Sequence, residues 1–467
     1  MANLCFDDKG AYMNETICAI STARGKGGVA VIRISGSEAL EVVKRFFVSA
    51  SGRCDFEPRR VYYGEVLRDG TPIDDVTLTY FKAPASYTGE DVCEICCHGG
   101  LYVTRAVLEL ALSNGARLAE AGEFTRRAYI NGKLSLTRAE AVGQIIDAQS
   151  DAQLRLSSAT RRGALSRALD KIKEIMLDLI SRAYVVVDYP DEDLPETSRG
   201  DMADKLSLVK DELYKLQRSY RAGLAVCEGV KTAIVGRPNA GKSSLYNALS
   251  GEELAIVTDI AGTTRDVIEH TVSVGDVTLR LADTAGIRDT DNEVEKIGVE
   301  RARERLAEAE LVLLVFDSSE KENDEDRALL EEIKGRCAIA IINKTDKERK
   351  MSAELENEIL SSIKRVVYMS AKDGGIEELG KALNEMYSLD ELDLSNDAII
   401  SNARQASSVS SALMAVEEAC SFLDMGQSPD IVCFALERAL ACLEQIDARG
   451  VSEEIVSQIF SRFCVGK

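Results

Sequence analysis

The chain has 467 residues, 45% apolar and 29% charged, an ordinary balance for a globular protein of roughly three domains at about 150 residues each. Lys and Arg total 57 against 78 Asp and Glu, and the net charge of −21 excludes a protein that coats nucleic acid non-specifically through cationic contacts. No apolar run reaches the roughly 18 residues of a membrane helix, no basic-then-apolar leader opens the chain, and the 12 cysteines form no repeating framework, so a reduced, cytoplasmic protein without a membrane span is expected.

Residues 1–133 read as mixed α/β. Short β-rich runs, Val29–Ile34 and Val76–Phe81, are separated by Gly, Pro and Asp turns, and a helical pattern follows at Tyr102–Leu112. Asn131-Gly-Lys133 marks a tight turn at the boundary. In residues 134–228 Pro is absent until Pro190, and Ala, Leu, Arg and Ile recur at helical spacing. The acidic stretch Asp188–Pro195 reads as a solvated turn between helices, which resume at about Asp201. Residues 229–386 alternate strand, loop and helix, with apolar strands Thr232–Val235, Leu311–Phe316 and Ala338–Ile342. That pattern predicts a mostly parallel sheet with helices on both faces. Residues 387–467 are helical again. Neither helical segment has a partner of its own, so the two are expected to pack together as one discontinuous α domain with the α/β unit inserted between them.

Gly236-Arg-Pro-Asn-Ala-Gly-Lys-Ser243 follows a strand and precedes a helix, the context of a phosphate-binding loop. Its backbone N–H groups approach phosphate oxygens, Lys242 reaches the β- and γ-phosphates, and the Ser243 hydroxyl suits Mg²⁺. Asp283-Thr-Ala-Gly286, at the end of the strand Val277–Leu281, supplies an Asp that holds the metal through water and a Gly N–H that senses the γ-phosphate. Asn343-Lys-Thr-Asp346 follows another strand. The Asp346 carboxylate accepts from the ring N–H and exocyclic amine of guanine, and adenine would leave it unpaired, so the site selects GTP. Ser370-Ala-Lys372 completes the base pocket. Ile287 stands where a Gln would orient the attacking water. Arg288, Asp289, Glu293 and Glu295 lie just downstream, and Gly262-Thr-Thr-Arg-Asp266 is a polar loop in which Thr264 reads as a second Mg²⁺ hydroxyl ligand.

Asn239 together with Gly262-Thr-Thr-Arg265 resembles the potassium-activated GTPases. Cys18–Ser35, Ser86–Gly100, Gly122–Val142 and the terminal Phe463-Cys-Val-Gly-Lys467 narrow the resemblance to the MnmE (TrmE) family of tRNA-modification GTPases, over essentially the whole chain. The resemblance implies an N-terminal α/β folate-binding and dimerisation domain, a discontinuous helical domain and an inserted P-loop GTPase domain. It implies a homodimer that acts with the flavoprotein MnmG, in a heterotetramer, to place a carboxymethylaminomethyl or aminomethyl group on carbon 5 of the tRNA wobble uridine. The one-carbon unit comes from tetrahydrofolate in its 5,10-methylene or 5-formyl form.

By residue, the resemblance assigns GTP to Asn239, Ala240, Gly241, Lys242, Ser243, Ser244, Thr258, Thr263, Thr264, Asp283, Thr284, Ala285, Gly286, Asn343, Lys344, Asp346, Ser370, Ala371 and Lys372. Potassium falls on Asn239 and the loop residues Thr258, Ile260 and Thr263, and magnesium on Ser243 and Thr264. Glu295 becomes the water-positioning group, with Asn239 and the loop residue Arg265 counted beside it in catalysis. Folate contacts fall on Arg33, Glu94, Lys133 and Lys467. A pterin edge resembles that of guanine, so Glu94 pairs with its amine and ring nitrogen, and the basic residues suit the glutamate carboxylates. Cys464 is either a thiolate nucleophile toward the pyrimidine ring or a terminal Cys packed near the folate. Cys93, Cys96, Cys97 and His98 look superficially like metal ligands, but strand alternation scatters them and favours a core reading. A different function, a GTP-dependent ribosome-assembly or RNA-binding switch, would share Asn239 and the Thr263-Thr264 loop; relatives of that kind usually append a basic RNA-binding domain on the C-terminal side, and the helical, non-basic C-terminal segment ending in the Cys motif counts against that reading. The arginine-rich stretch 105–162 is open as a tRNA surface or a solvated helical face.

Overall fold

Strand alternation sets the architecture of the first compact unit, which comprises residues 1–143 and 447–467. The computed structural model describes residues 15–23, 25–188, 199–251, 270–281, 306–447 and 453–466. Within the first unit, β1 (Ile17–Ile20), β2 (Val29–Ser35), β3 (Phe47–Ser49), β4 (Val61–Arg68), β5 (Thr71–Phe81), β6 (Val92–His98) and β7 (Arg117–Leu118) form one sheet in the order β3-β4-β5-β6-β2-β1-β7. All of its strand pairings are antiparallel except β1 with β7. Alternate residues of β2 and β6, such as Ile32, Ile34, Cys93, Ile95 and Cys97, enter a core closed by the helices Ala39–Lys44 and Leu101–Ser113. On the opposite face, Ile17 and Ala19 pack with Ala119 and with Phe124 of the helix Glu123–Ile130.

The turn expected at Asn131-Gly-Lys133 ends that helix: Gly132 has φ +69°, and its N–H and that of Lys133 return to Tyr129 and Ala128. The C-terminal segment belongs to this unit. The helix Glu453–Ser461 places Val456 and Phe460 against Leu136 and Ala139, and Val465 bridges to Ala121.

The second unit comprises residues 144–446. Its sheet runs β13-β12-β11-β8-β10-β9, with β8 (Val230–Val235), β9 (His270–Val274), β10 (Val277–Leu281), β11 (Leu311–Asp317), β12 (Ala338–Asn343) and β13 (Val366–Tyr368). Every pairing is parallel except the β9–β10 hairpin. The seven residues of β11 are all buried, as a strand covered on both faces requires. Leu311, Leu313 and Val315 enter one core, and Val312, Leu314 and Phe316 enter the other.

The helical segments behave as expected from their missing partners. Ala164–Asp188, Arg199–Cys227, Ala403–Asp424 and Pro429–Glu444 share one core that includes Leu169, Met176, Leu213, Val416 and Leu436. The helix Asp151–Arg161 departs from that pattern. Its buried Ala152 and Leu156 join the core of the β8–β13 sheet. The two units therefore divide the chain differently from the four expected segments: the C-terminal residues pack with the first unit, and the division falls inside the helix Leu136–Asp147. Residues 189–198, which hold most of the acidic stretch, lie outside the described residues.

Candidate functional site

The phosphate-loop motif sits where the sequence requires, between β8 and the helix Lys242–Gly251. Asn239 has φ +59° and Gly241 φ +103°, so the loop turns sharply enough to aim successive N–H groups inward. A Cβ on Gly241 would lie 2.0 Å from Asn343 Nδ2, which makes glycine obligatory there. Lys242 Nζ donates to the carbonyls of Gly236 (2.8 Å) and Arg237 (2.7 Å), and so lies across the mouth of its own loop.

Loops from neighbouring parallel strands are stitched together behind it. Asn343, at the end of β12, donates through Nδ2 to Ala240 O (3.0 Å) and accepts at Oδ1 from Ala371 N (2.9 Å). Lys344, itself at φ +60°, donates to Asn239 O (2.7 Å) and to Asp317 Oδ2 (2.5 Å) at the end of β11. Burial pushes the Asp317 carboxyl up, but hydrogen bonds from Lys344 and Ser319 outweigh it and hold it below its ordinary value. Asp346 is exposed, and a hydrogen bond from the Ser370 side chain holds it low, so its carboxylate is charged and ready to accept. The structure thus brings together Asn239, Ala240, Gly241, Lys242, Asn343, Lys344, Asp346, Ser370 and Ala371. Ser243 and Ser244 are exposed in the first turn of the following helix, and Lys372 follows Ala371 on the surface. Thr258, Ile260, Thr263, Thr264, Arg265, Asp283, Thr284, Ala285, Gly286 and Glu295 lie outside the described residues.

The first unit holds a second constellation. Arg33 on β2 and Glu94 on β6 are directly paired in the antiparallel register. Arg33 Nε and a terminal guanidinium nitrogen both lie 2.9 Å from the same oxygen, Glu94 Oε1. The guanidinium lies between two aromatic rings, 5.3 Å from the Tyr87 centroid and 5.7 Å from that of Phe124. Lys133 Nζ donates to Pro84 O (2.9 Å) at the start of the loop that carries Tyr87. Cys464 is exposed, its carbonyl accepting from Gly122 N at 3.5 Å, and Gly466 O accepts from Ser21 Oγ at 2.9 Å. Lys467 lies outside the described residues.

Sequence reasoning missed what holds this second site. Arg127 is fully buried; its guanidinium donates to Glu123 Oε1 (2.9 Å) and to Glu90 Oε2 (3.1 Å). Glu90 also accepts from Ser35 Oγ (2.8 Å), and Glu123 from Arg117 (2.7 Å) and from Glu120 N (2.8 Å). Desolvation pushes Glu123 up, yet these donors win and hold it below its ordinary range. The network ties the Tyr87 loop to the Phe124 helix. Its signal was available in Glu90, Glu123 and Arg127, which all lie in segments already singled out. Arg127 is thereby removed from any tRNA surface in the 105–162 stretch, where Arg105 and Arg155 are also paired, with Glu109 and Asp151.

The Cys93–His98 cluster behaves as a strand. Cys93 and Cys97 are buried in the core, where desolvation pushes the Cys97 thiol up to about 11. Cys96 is half-buried, and His98 is exposed with Nδ1 2.6 Å from Asp74 Oδ1. Among the described residues no group of His, Cys, Asp and Glu is arranged to hold a metal ion, and no helix is long and apolar enough to cross a membrane.

Residues 16–133 match the family model described as the GTP-binding protein TrmE N-terminus, and residues 136–464 match that of the MnmE helical domain. The chain is 40% identical over 454 residues to the tRNA modification GTPase MnmE of Listeria innocua, covering 97% of this chain and 99% of that protein. It is 38% identical over 458 residues to the protein of the same name from Clostridioides difficile, with coverages of 98% and 100%. The Bacillus subtilis counterpart is 39% identical over 458 residues, covering 97% of this chain and all of that protein, 100%.

Proposed function

This chain belongs to the MnmE family of tRNA-modification GTPases, and from that premise we propose that it is a potassium-dependent GTPase acting with the flavoprotein MnmG on carbon 5 of the tRNA wobble uridine. It is a GTP hydrolase in tRNA modification. The product is a carboxymethylaminomethyl or aminomethyl group, and the one-carbon unit comes from a tetrahydrofolate. The proposed domains are 1–133 for folate and dimerisation, 134–228 and 387–467 for the helical part, and 229–386 for GTP.

The observation that carries the potassium reading is Asn239. Its carbonyl is engaged by Lys344, which holds the left-handed backbone, while its side chain is exposed and takes no partner among the described residues. An amide oxygen carried on a held backbone at the phosphate loop, with no partner among the described residues, is a donor suited to a monovalent cation. Asn239 would hold potassium together with Thr258, Ile260 and Thr263, and Ser243 and Thr264 would hold magnesium. The cations supply positive charge against the phosphates when bound. Lys242 binds the β- and γ-phosphates, Asp346 selects guanine, Glu295 orients the attacking water, and Arg265 is assigned a part in catalysis with it.

Folate is supported by the Arg33–Glu94 pair. Both Arg33 nitrogens address Glu94 Oε1, so Oε2 has no partner among the described residues and is able to accept from a pterin amine. Tyr87 and Phe124 supply aromatic faces, and Lys133 and Lys467 suit the glutamate tail. Cys464 stands as a nucleophile or as packing beside it.

The test is nucleoside analysis of tRNA from a strain lacking the chain, complemented with the parent or with Asn239→Ala. The parent restores the modified wobble uridine and Asn239→Ala does not. Full restoration by Asn239→Ala contradicts the cation role, and normal nucleosides without the chain contradict the tRNA role.

A further inference from the structure

The helix Asp151–Arg161 is helical-domain sequence built into the GTPase core. Ala152 and Leu156 pack in one cluster with Val226, Val230, Val272, Val277 and Leu279. Three residues beyond its end, Ala164 begins the helix whose Leu165 and Leu169 enter the four-helix core instead. The short helix thus stands between the two cores and belongs by packing to one and by chain to the other.

Its polar contacts fall on two elements, the end of the helix Arg199–Cys227 and the β9–β10 hairpin. Gln153 is 7% exposed, and its Nε2 faces Val226 O at 3.0 Å, Cys227 O at 3.4 Å and Thr278 Oγ1 at 3.1 Å. Its Oε1 accepts from Gln149 N at 2.6 Å, so both ends of the amide are satisfied. Thr278 Oγ1 in turn donates to Val226 O at 2.9 Å. Two residues before Thr278, Asp276 Oδ1 accepts from Arg155 at 2.6 Å. The Asp276 N–H is held from another side by Asn384 Oδ1 at 3.0 Å, on the helix Ile376–Met386.

These contacts fasten a helix end and a strand hairpin with known destinations in the chain. Val226 and Cys227 end the helix that leads into β8 and the phosphate loop. Asp276 and Thr278 belong to the β9–β10 hairpin, which joins the segment holding Thr263-Thr264 to the one holding Asp283-Gly286. Strands in a parallel sheet are stiff along their length, so a displacement of β10 against β8 at the nucleotide end must be absorbed or passed on where the hairpin is held.

We propose that Gln153 and Arg155 are positioning residues that couple the state of the nucleotide site to the helical core, by gripping the β9–β10 hairpin at Thr278 and Asp276. The grip takes no part in hydrolysis itself. Breaking it leaves GTP turnover running while the work it drives in tRNA modification is lost. The proposal rests on the reading above only in taking tRNA modification as the output.

The experiment uses the full chain in two series. Arg155→Asp and Asp276→Arg each reverse one half of a partly exposed pair without opening a cavity, and the double variant restores opposite charge. Gln153→Met with Thr278→Val probes the buried half, with thermal unfolding recorded for each protein. GTP hydrolysis is measured on purified protein, and wobble-uridine modification by nucleoside analysis of tRNA from strains carrying each variant. The expected result is hydrolysis within about twofold of the parent, modification lowered about fivefold or more by each charge reversal, and recovery in the double variant. Recovery separates the grip from direct tRNA binding by Arg155, because the double variant restores the pair without returning a cation to position 155. Modification at parent level in the single reversals overturns the proposal. So does hydrolysis that falls in step with modification, or a double variant no better than the singles. If the strain lacking the chain already has normal nucleosides, it is the tRNA reading that fails, and that control is read first.

Discussion

The two sites are built by opposite strategies. The guanine-nucleotide side of the second unit is made from consecutive residues at the ends of neighbouring parallel strands, and backbone groups do much of the holding: Lys242, Asn343 and Lys344 all donate to phosphate-loop carbonyls. The Arg33–Glu94 side of the first unit is made from single residues far apart in sequence. Cross-strand register brings them together, and a buried ion network fixes the surrounding loop and helix. A backbone-built site survives the loss of one side chain as a structure and loses a function. A site held by buried charge does the reverse.

The largest effect is expected in the first unit. Arg127→Met removes the buried cation shared by Glu90 and Glu123, leaving Glu123 with Arg117 and Glu120 N and half-buried Glu90 with Ser35, and lowers stability by about 3–5 kcal/mol, seen as an earlier denaturant midpoint. Glu123→Gln beside it, which keeps the shape, costs less. If Arg127→Met unfolds no earlier than the parent, the network is not what holds this site. By contrast, Asp346→Asn leaves the melting temperature unchanged and weakens GTP binding by about 10–100-fold, with xanthosine triphosphate gaining over GTP in competition. Equal preference for GTP in the two proteins would remove Asp346 from base selection.

Gly466→Ala tests the C-terminal anchor. At φ +100° with a Cβ 2.2 Å from Ile20 O, alanine must displace the backbone. A cost of about 1–3 kcal/mol, with faster proteolysis of the last residues and unchanged GTP turnover, is expected.

The smallest effect is in the pH profile. The folded-state pKa of Glu123 lies below its ordinary 4.5, so its stabilising contribution is complete above that value and is lost as pH falls through the folded value. Denaturant midpoints therefore stay level in the neutral range and drop in acid, less steeply in Glu123→Gln. A profile unchanged by that substitution would contradict the assignment.

The same contrast explains what the sequence could tell. Strand-sized apolar runs and the phosphate-loop, Asn343–Asp346 and Ser370–Lys372 motifs are contiguous, so their spacing carries their chemistry. The strands expected at Thr232–Val235, Leu311–Phe316 and Ala338–Ile342 lie within one or two residues of those bounds, whereas the run Val76–Phe81 is only the second half of a strand that starts at Thr71. Arg33 and Glu94 are 61 residues apart and become neighbours only through β2–β6 register, so spacing alone gave them no weight and only the family resemblance picked them out. Tyr87, Phe124 and Arg127 were invisible for the same reason, although each stands in a quoted segment. The helix Asp151–Arg161 has the same helical periodicity as its neighbours. Which core its Ala152 and Leu156 enter is decided by tertiary packing, which periodicity does not encode.

The central claim, a cation-dependent GTPase centred on Asn239, is tested most directly by GTP hydrolysis of the purified chain in potassium and in sodium, with Asn239→Ala alongside. The account predicts turnover about tenfold or more faster in potassium, and loss of that difference in Asn239→Ala with GTP still bound. Equal turnover in the two salts, or full potassium activation in Asn239→Ala, would contradict it.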